Sequence, residues 1–182
     1  MTLQGRVVIV TGPPGAGKTT LARALAETAD DPGGVHLHGD DFLGYIRTGF
    51  IPPHLPASRH QNVTLSGALA AAAFTYAGGG YLVALDWVVG PWFLDVYRAE
   101  AGRTGVPLDY VVLRPSEETV IARSRARADN PITDYSHLRP LYDQLGRLGD
   151  LEAHAVDTTV WSRADTLAAV RGGLVEGRFR LA

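Results

Sequence analysis

Cysteine is absent from all 182 residues, which removes disulfides, thiol nucleophiles and cysteine-ligated zinc from consideration at once. A basic surplus is lacking too. Lysine and arginine number 17 against 19 aspartates and glutamates, a formal charge of −2. Proteins that grip nucleic acid non-specifically carry excess positive charge, so no nucleic-acid partner is expected. The longest apolar stretch, Leu65 to Ala77, is too short and too interrupted to span a bilayer, and no membrane association is expected. Met1-Thr2-Leu3-Gln4-Gly5 runs straight into an apolar segment, leaving no room for a leader and predicting a soluble cytoplasmic protein. Neither an internal repeat nor a dividing linker is visible, so residues 1–182 are expected to form one domain.

What the chain does contain is an ordinary globular composition, 46% hydrophobic and 20% charged, and one informative motif. Gly12-Pro13-Pro14-Gly15-Ala16-Gly17-Lys18-Thr19 fits GxxxxGK[ST], the phosphate-binding P-loop. Its surroundings match. Arg6 to Thr11 is a β-branched run that reads as a buried strand, and Thr20 to Glu27 reads as a helix. Glycines let the backbone curl so that successive N–H groups point at a phosphate, and the helix start adds unpaired donors and a positive dipole end. Gly12, Pro13, Pro14, Gly15, Ala16, Gly17, Lys18, Thr19 and Thr20 are therefore the expected nucleotide-binding residues, with Lys18 reaching the β- and γ-phosphates of ATP and the Thr19 hydroxyl on Mg²⁺.

Further along, Val35 to Gly39 reads as a second strand with Asp40-Asp41-Phe42 at its carboxyl end, where open α/β sheets bind ligands. Gly44 to Ser58 holds three prolines and reads as a loop, and Asn62 to Ala77 as a helix stopped by Gly78-Gly79-Gly80. Tyr81 to Asp86 is a third strand ending in an acid, followed by a helix over Trp92 to Ala101. Leu108 to Leu113 is a fourth strand, and Pro115-Ser116-Glu117-Glu118 opens a helix with a serine cap and acids in its first turn. Tyr135 to Leu148 is expected to be helical, Ala153 to Asp157 a fifth strand, and Ser162 to Leu174 a last helix capped at Gly172-Gly173. Alternating strands and helices imply an α/β protein with a five-stranded parallel sheet covered on both faces.

The P-loop near the start, the acid pair after strand two, Asp86 ending strand three, the arginine-rich helix after strand four and the closing Asp157-Thr158-Thr159 together resemble a small P-loop kinase. The nearest shapes are the chloramphenicol phosphotransferase, gluconate kinase, shikimate kinase and polynucleotide 5′-kinase branch. The resemblance implies a three-layer P-loop NTPase fold of the nucleoside-monophosphate-kinase type with a short lid near 128–135. It also implies Mg-ATP as cofactor and a small hydroxyl compound, a sugar acid, an antibiotic-like alcohol or another metabolite alcohol, as acceptor.

Phosphoryl transfer to an alcohol needs a carboxylate to orient the hydroxyl and accept its proton. Resembling kinases place that acid directly after strand two, which puts Asp40 in the catalytic role and Asp41 and Phe42 beside the substrate. Asp86 has the form of a Walker B acid, serving either Mg²⁺ through a water or the acceptor. Arg123 and Arg127, four apart on one helix face, take the place of lid arginines that neutralise the transferring phosphoryl, whereas Arg125 faces elsewhere. Phe42, Tyr45, Phe50, Trp87, Trp92 and Phe93 are candidate walls for the acceptor, with Arg47, Arg59, His60 and Gln61 as its polar contacts. Arg163 is placed to stack on the base. His36 and His38 lack a third ligand at metal spacing and read as structural. Two alternatives share the P-loop. A regulatory ATPase would need switch segments and a partner, and a polynucleotide 5′-kinase would need a basic groove.

Overall fold

The computed structural model describes residues 2–126 and 139–181. Five parallel strands, β1 (Arg6–Thr11), β2 (Gly34–His38), β3 (Leu82–Asp86), β4 (Leu108–Leu113) and β5 (Ala155–Val156), form one sheet in the order β2-β3-β1-β4-β5. The three central strands are buried along their whole length, as strands covered on both faces must be. β2 lies at an edge and is half-buried throughout.

Alternation along β1 feeds two cores. Val7 and Ile9 face a cluster with Leu69, Phe74, Leu94 and Tyr97, from α3 (Arg59–Gly78) and α4 (Leu94–Thr104). Val8 and Val10 face the opposite cluster with Leu21, Leu25, Val170 and Leu174, from α1 (Lys18–Glu27) and α7 (Arg163–Val175). Shorter helices are α2 (Gly39–Gly44), α5 (Glu117–Arg125) and α6 (Arg139–Leu145).

β1 pairs with β3 on one side and β4 on the other, so the chain leaves it for one half of the sheet and later returns to build the other. A crevice opens at the carboxyl ends of the strands in such a sheet. Registers of Val10 with Asp86 and of His38 with Asp86 bring the P-loop, the end of β2 and the end of β3 to that edge.

Several boundaries differ from expectation. Asp40 and Asp41, expected at the carboxyl end of β2, sit in the first turn of α2, where the helix dipole favours acids. The expected fifth strand shrinks to two residues because Gly149–His154 winds into a 3₁₀ turn. Gly172-Gly173 does not cap the last helix. Both lie inside α7, and a Cβ on Gly173 would stand 2.5 Å from the Phe179 ring, so close packing of the chain's last turn explains that glycine. The end of α7 passes instead to Gly177, whose φ of 76° suits the turn. Helix 135–148 is described only from Arg139, and Arg127 with the expected lid at 128–135 falls outside the described residues. No described helix is long and apolar enough to cross a membrane.

Candidate active site

The P-loop owes its shape to backbone that only glycine adopts readily. Gly12, Gly15 and Gly17 have φ of 146°, 87° and 98°, and Gly17 directly precedes the first residue of α1. Helix α5 braces the loop from behind. Ser124 donates to the Pro14 carbonyl at 3.2 Å, and a Cβ on Gly15 would meet Ser124 Oγ at 2.3 Å and the Val120 carbonyl at 2.6 Å. The first turn of α1 leaves backbone N–H groups without intrahelical partners, aimed at whatever fills the loop. Lys18 reaches back to the Pro13 carbonyl at 3.2 Å and faces the same space.

That space is a cleft of about 830 Å³. Pro14 to Thr20 form its floor, His38, Asp40, Asp86, Trp87 and Val88 one end, and Arg123, Thr158, Trp161, Ser162 and Arg163 the other. The first end is held by the segment after β3. Val89 N–H donates to Thr11 Oγ1 at 3.0 Å, and the buried Tyr110 hydroxyl donates to the Val89 carbonyl at 2.7 Å, which fixes the strand's exit. Trp87 then folds its ring onto Gly39, where a Cβ would lie 2.4 Å from the indole. At the second end, Arg123 donates to the Thr158 carbonyl at 3.0 Å, and Thr159 Oγ1 accepts from Ser116 N–H at 2.8 Å. The loop after β5 is thereby tied to α5. Thr159 also donates its N–H and hydroxyl to Asp157, holding that carboxyl below its ordinary range. Thr158 is buried, borders the cleft, and its Oγ1 finds no partner among the described residues, as does the Trp87 Nε1.

Of the expected site residues, the structure brings Pro14 to Thr20, Asp40, Asp86, Arg123 and Arg163 to one cleft. Gly12 lies beneath the loop, where a Cβ would stand 2.3 Å from the Leu113 carbonyl, and Pro13 faces a small neighbouring hollow with Pro14. Asp41, Phe42, Arg47, Arg59 and Trp92 stand outside the lining. Phe42 stacks toward Tyr45, Trp92 lies against Gly90, and the exposed Arg47 and Arg59 flank the proline-rich loop. Gln61 is not offered to a ligand: its amide both accepts from Ile51 N–H (2.9 Å) and donates to the Ile51 carbonyl (2.7 Å), pinning the loop itself.

His36 and His38, read from the sequence as structural, contact the acids of the cleft. They do more than fill space. His36 Nε2 lies 2.9 Å from Asp86 Oδ2, and His38 places Nε2 3.6 Å from both Asp40 Oδ2 and Asp86 Oδ1, with Nδ1 3.3 Å from Asp41 Oδ1. The alternation His-x-His ahead of an acid pair was the available signal, since it puts both rings on one strand face. Sequence reasoning missed Trp161, which forms part of the cleft wall beside Arg163.

Sheet order, P-loop and cleft together define the class: a small P-loop kinase fold, three layers with the nucleotide loop at the switch point. The chain belongs to the AAA domain family, whose model matches residues 7–139. Solved structures share the whole architecture. A gluconokinase from Sinorhizobium meliloti 1021 superposes with a TM-score of 0.69 at 20% identity, covering 94% of this chain and 93% of that one. The APS kinase of Mycobacterium tuberculosis, in complex with AMPPNP and APS, gives 0.62 at 18% identity over 94% and 98%. A tunicamycin resistance protein from Deinococcus radiodurans gives 0.65 at 17% over 97% and 98%. A search of curated protein sequences finds no match.

Proposed function

We propose that this protein is an ATP-dependent phosphotransferase that moves the γ-phosphoryl of Mg-ATP to a hydroxyl of a small molecule. The observation that carries this reading is the single cleft that joins the P-loop, with Lys18 and Thr19, to the carboxylates of Asp40 and Asp86. A carboxylate lining the same cleft as the phosphate loop can accept the proton of an attacking hydroxyl.

The γ-phosphoryl rests on the loop's N–H groups and on Lys18. Asp40 accepts the proton of the acceptor hydroxyl as its oxygen bonds to phosphorus and the bond to the β-phosphate oxygen breaks, so ATP and the alcohol become ADP and a phosphomonoester. Arg123, anchored on the Thr158 carbonyl, lies with Trp161 and Arg163 at the end that suits the nucleoside, and the unpartnered Thr158 hydroxyl is available to a base edge.

The donors also fit Mg²⁺. No three His, Asp or Glu groups among the described residues form a cage, and Mg²⁺ in such sites is held instead by one or two protein oxygens, waters and phosphate. Thr19 and Asp86 are the protein oxygens in the cleft that would hold it, Asp86 through water. When bound with the nucleotide, the ion neutralises charge on the phosphates. Kinship in fold with a gluconokinase and a sugar kinase supports an acceptor of the sugar or sugar-acid class.

The test is a panel of sugars, sugar acids, nucleosides and antibiotics, scored by acceptor-dependent ADP release. One class should raise the rate sharply. With that acceptor, Asp40→Asn lowers kcat by about 10²-fold or more while ATP binding stays within about a factor of three. ADP release indifferent to every acceptor would favour the regulatory ATPase instead.

A further inference from the structure

The carboxylate assigned as base is largely open to solvent, while the acid beside it is buried. The Asp40 side chain is 68% exposed, against 3% for Asp86. A short, solvated carboxylate at the first turn of α2 has several rotamers and is repelled by the buried charge of Asp86 behind it. Left alone, it would point into water. A base must instead be held within hydrogen-bond reach of the hydroxyl, and misplacement by about 1 Å costs roughly 10²-fold in rate.

His38 stands where this problem is solved. It ends β2 in direct register with Asp86 and is the N-cap residue of α2, so its backbone is set by sheet pairing on one side and by the helix start on the other. Its Nε2 is equidistant, 3.6 Å, from Asp40 and Asp86. That spacing is an ion-pair separation, wider than a hydrogen bond, from which a small turn of the ring closes onto either oxygen. Nδ1 leans on Asp41 at 3.3 Å and steadies the ring plane. His36, two residues earlier on the same strand face, takes the other oxygen of Asp86 at 2.9 Å and keeps that carboxylate turned toward His38. Lys18 lines the same cleft.

We propose that His38 is a positioning residue for phosphoryl transfer: its Nε2 edge, with Asp86 fixed by His36, holds the Asp40 carboxylate toward the phosphate loop. This rests on the phosphotransferase reading above and adds a residue to it. The device is geometric, so an amide that reproduces the Nε2 donor can replace the ring.

The experiment uses the full chain with Mg-ATP alone, water standing in as acceptor, so that ATP and water give ADP and phosphate. His38→Ala should lower kcat about tenfold with the KM for ATP within about a factor of two, because His36 still holds Asp86 in place. His38→Gln, whose amide nitrogen falls near Nε2, should recover most of the loss. His38→Asn, which imitates only Nδ1, should not. In an Asp40→Asn background, His38→Ala should have no further effect, since the carboxylate it positions is already gone. Thermal unfolding of each variant checks the fold. A readout that needs no turnover is the imidazole nitrogen spectrum: Asp40→Asn should shift the His38 ring signals and leave those of His36 in place. Parental kcat in His38→Ala, equal recovery by Asn and Gln, or unmoved His38 signals would overturn the proposal. Lys18→Ala separates the two ideas. If it is inactive while His38 variants behave as the parent, the P-loop assignment stands and the positioning role fails, with the acceptor panel still deciding phosphotransfer; if it hydrolyses ATP as the parent does, both fail.

Discussion

Gly39 is the position where a single methyl group should reach furthest. The residue starts α2 with ordinary backbone angles, so alanine there meets no conformational strain and acts through space alone. A Cβ at Gly39 would lie 2.4 Å from Trp87 Cε3, 2.6 Å from Cδ2 and 2.9 Å from Cβ. Regaining ordinary contact requires the indole to withdraw by about 1 Å. Trp87 is only 6% exposed and belongs to the core beneath α3, so it has little room to do so. Overpacking of this kind costs about 1–3 kcal/mol, which for a chain of this length lowers Tm by roughly 2–12 °C. The functional cost is larger. Gly39 adjoins Asp40, Trp87 adjoins Asp86, and a displacement of about 1 Å between them should cut turnover by roughly 10²-fold with nucleotide affinity preserved. Calorimetry and acceptor-dependent ADP release measure the two parts. Trimming the ring should then relieve the methyl: Gly39→Ala combined with Trp87→Leu should be more stable than the sum of the single changes by about 0.5–3 kcal/mol. Parental Tm and turnover in Gly39→Ala, or strict additivity in the double variant, would refute this reasoning.

Lys18 is the single lysine of the sequence, so an amine-acylating reagent reports on the P-loop and the α-amine alone. Mg-ATP should slow modification of Lys18 in proportion to its occupancy, read by mass spectrometry, and leave the α-amine unaffected. At the opposite end of the sheet, Asp109 is fully buried between Arg6 (3.4 Å) and Arg180 (3.1 Å), and burial already pulls the Arg6 pKa below its ordinary value. Asp109→Ala strands that buried charge and should cost about 3–5 kcal/mol in thermal unfolding, with nucleotide affinity unchanged because β4 begins far from the cleft. Asp157 contributes stability through its lowered pKa. That contribution is complete above the ordinary carboxylate range and is lost as pH falls through the lower folded value. The Tm gap between parent and Thr159→Val should therefore stay constant at neutral pH and narrow below about pH 4.

Much of this was legible in the linear chain because it depends on local pattern. GxxxxGK[ST] between a β-branched run and a helical one specifies a phosphate loop with no tertiary information, since glycine conformation and helix start are both local. Alternation of strands and helices likewise set the sheet class, and an acid at each strand end pointed to Asp40 and Asp86.

What periodicity could not supply was which strand lies beside which and what each side chain meets there. The order β2-β3-β1-β4-β5 puts His38 opposite Asp86, and only that register turns two apparently structural histidines into partners of the acids. The same folding uses Gln61 to pin its own loop and places Arg123 on the Thr158 carbonyl. It also buries Gly173 against Phe179, where a cap was expected. Local sequence determined a loop that binds phosphate and the strands that carry acids to one edge. Tertiary structure decided which groups face those acids, because contacts between residues fifty or a hundred positions apart follow from strand order and packing and leave no local periodic trace.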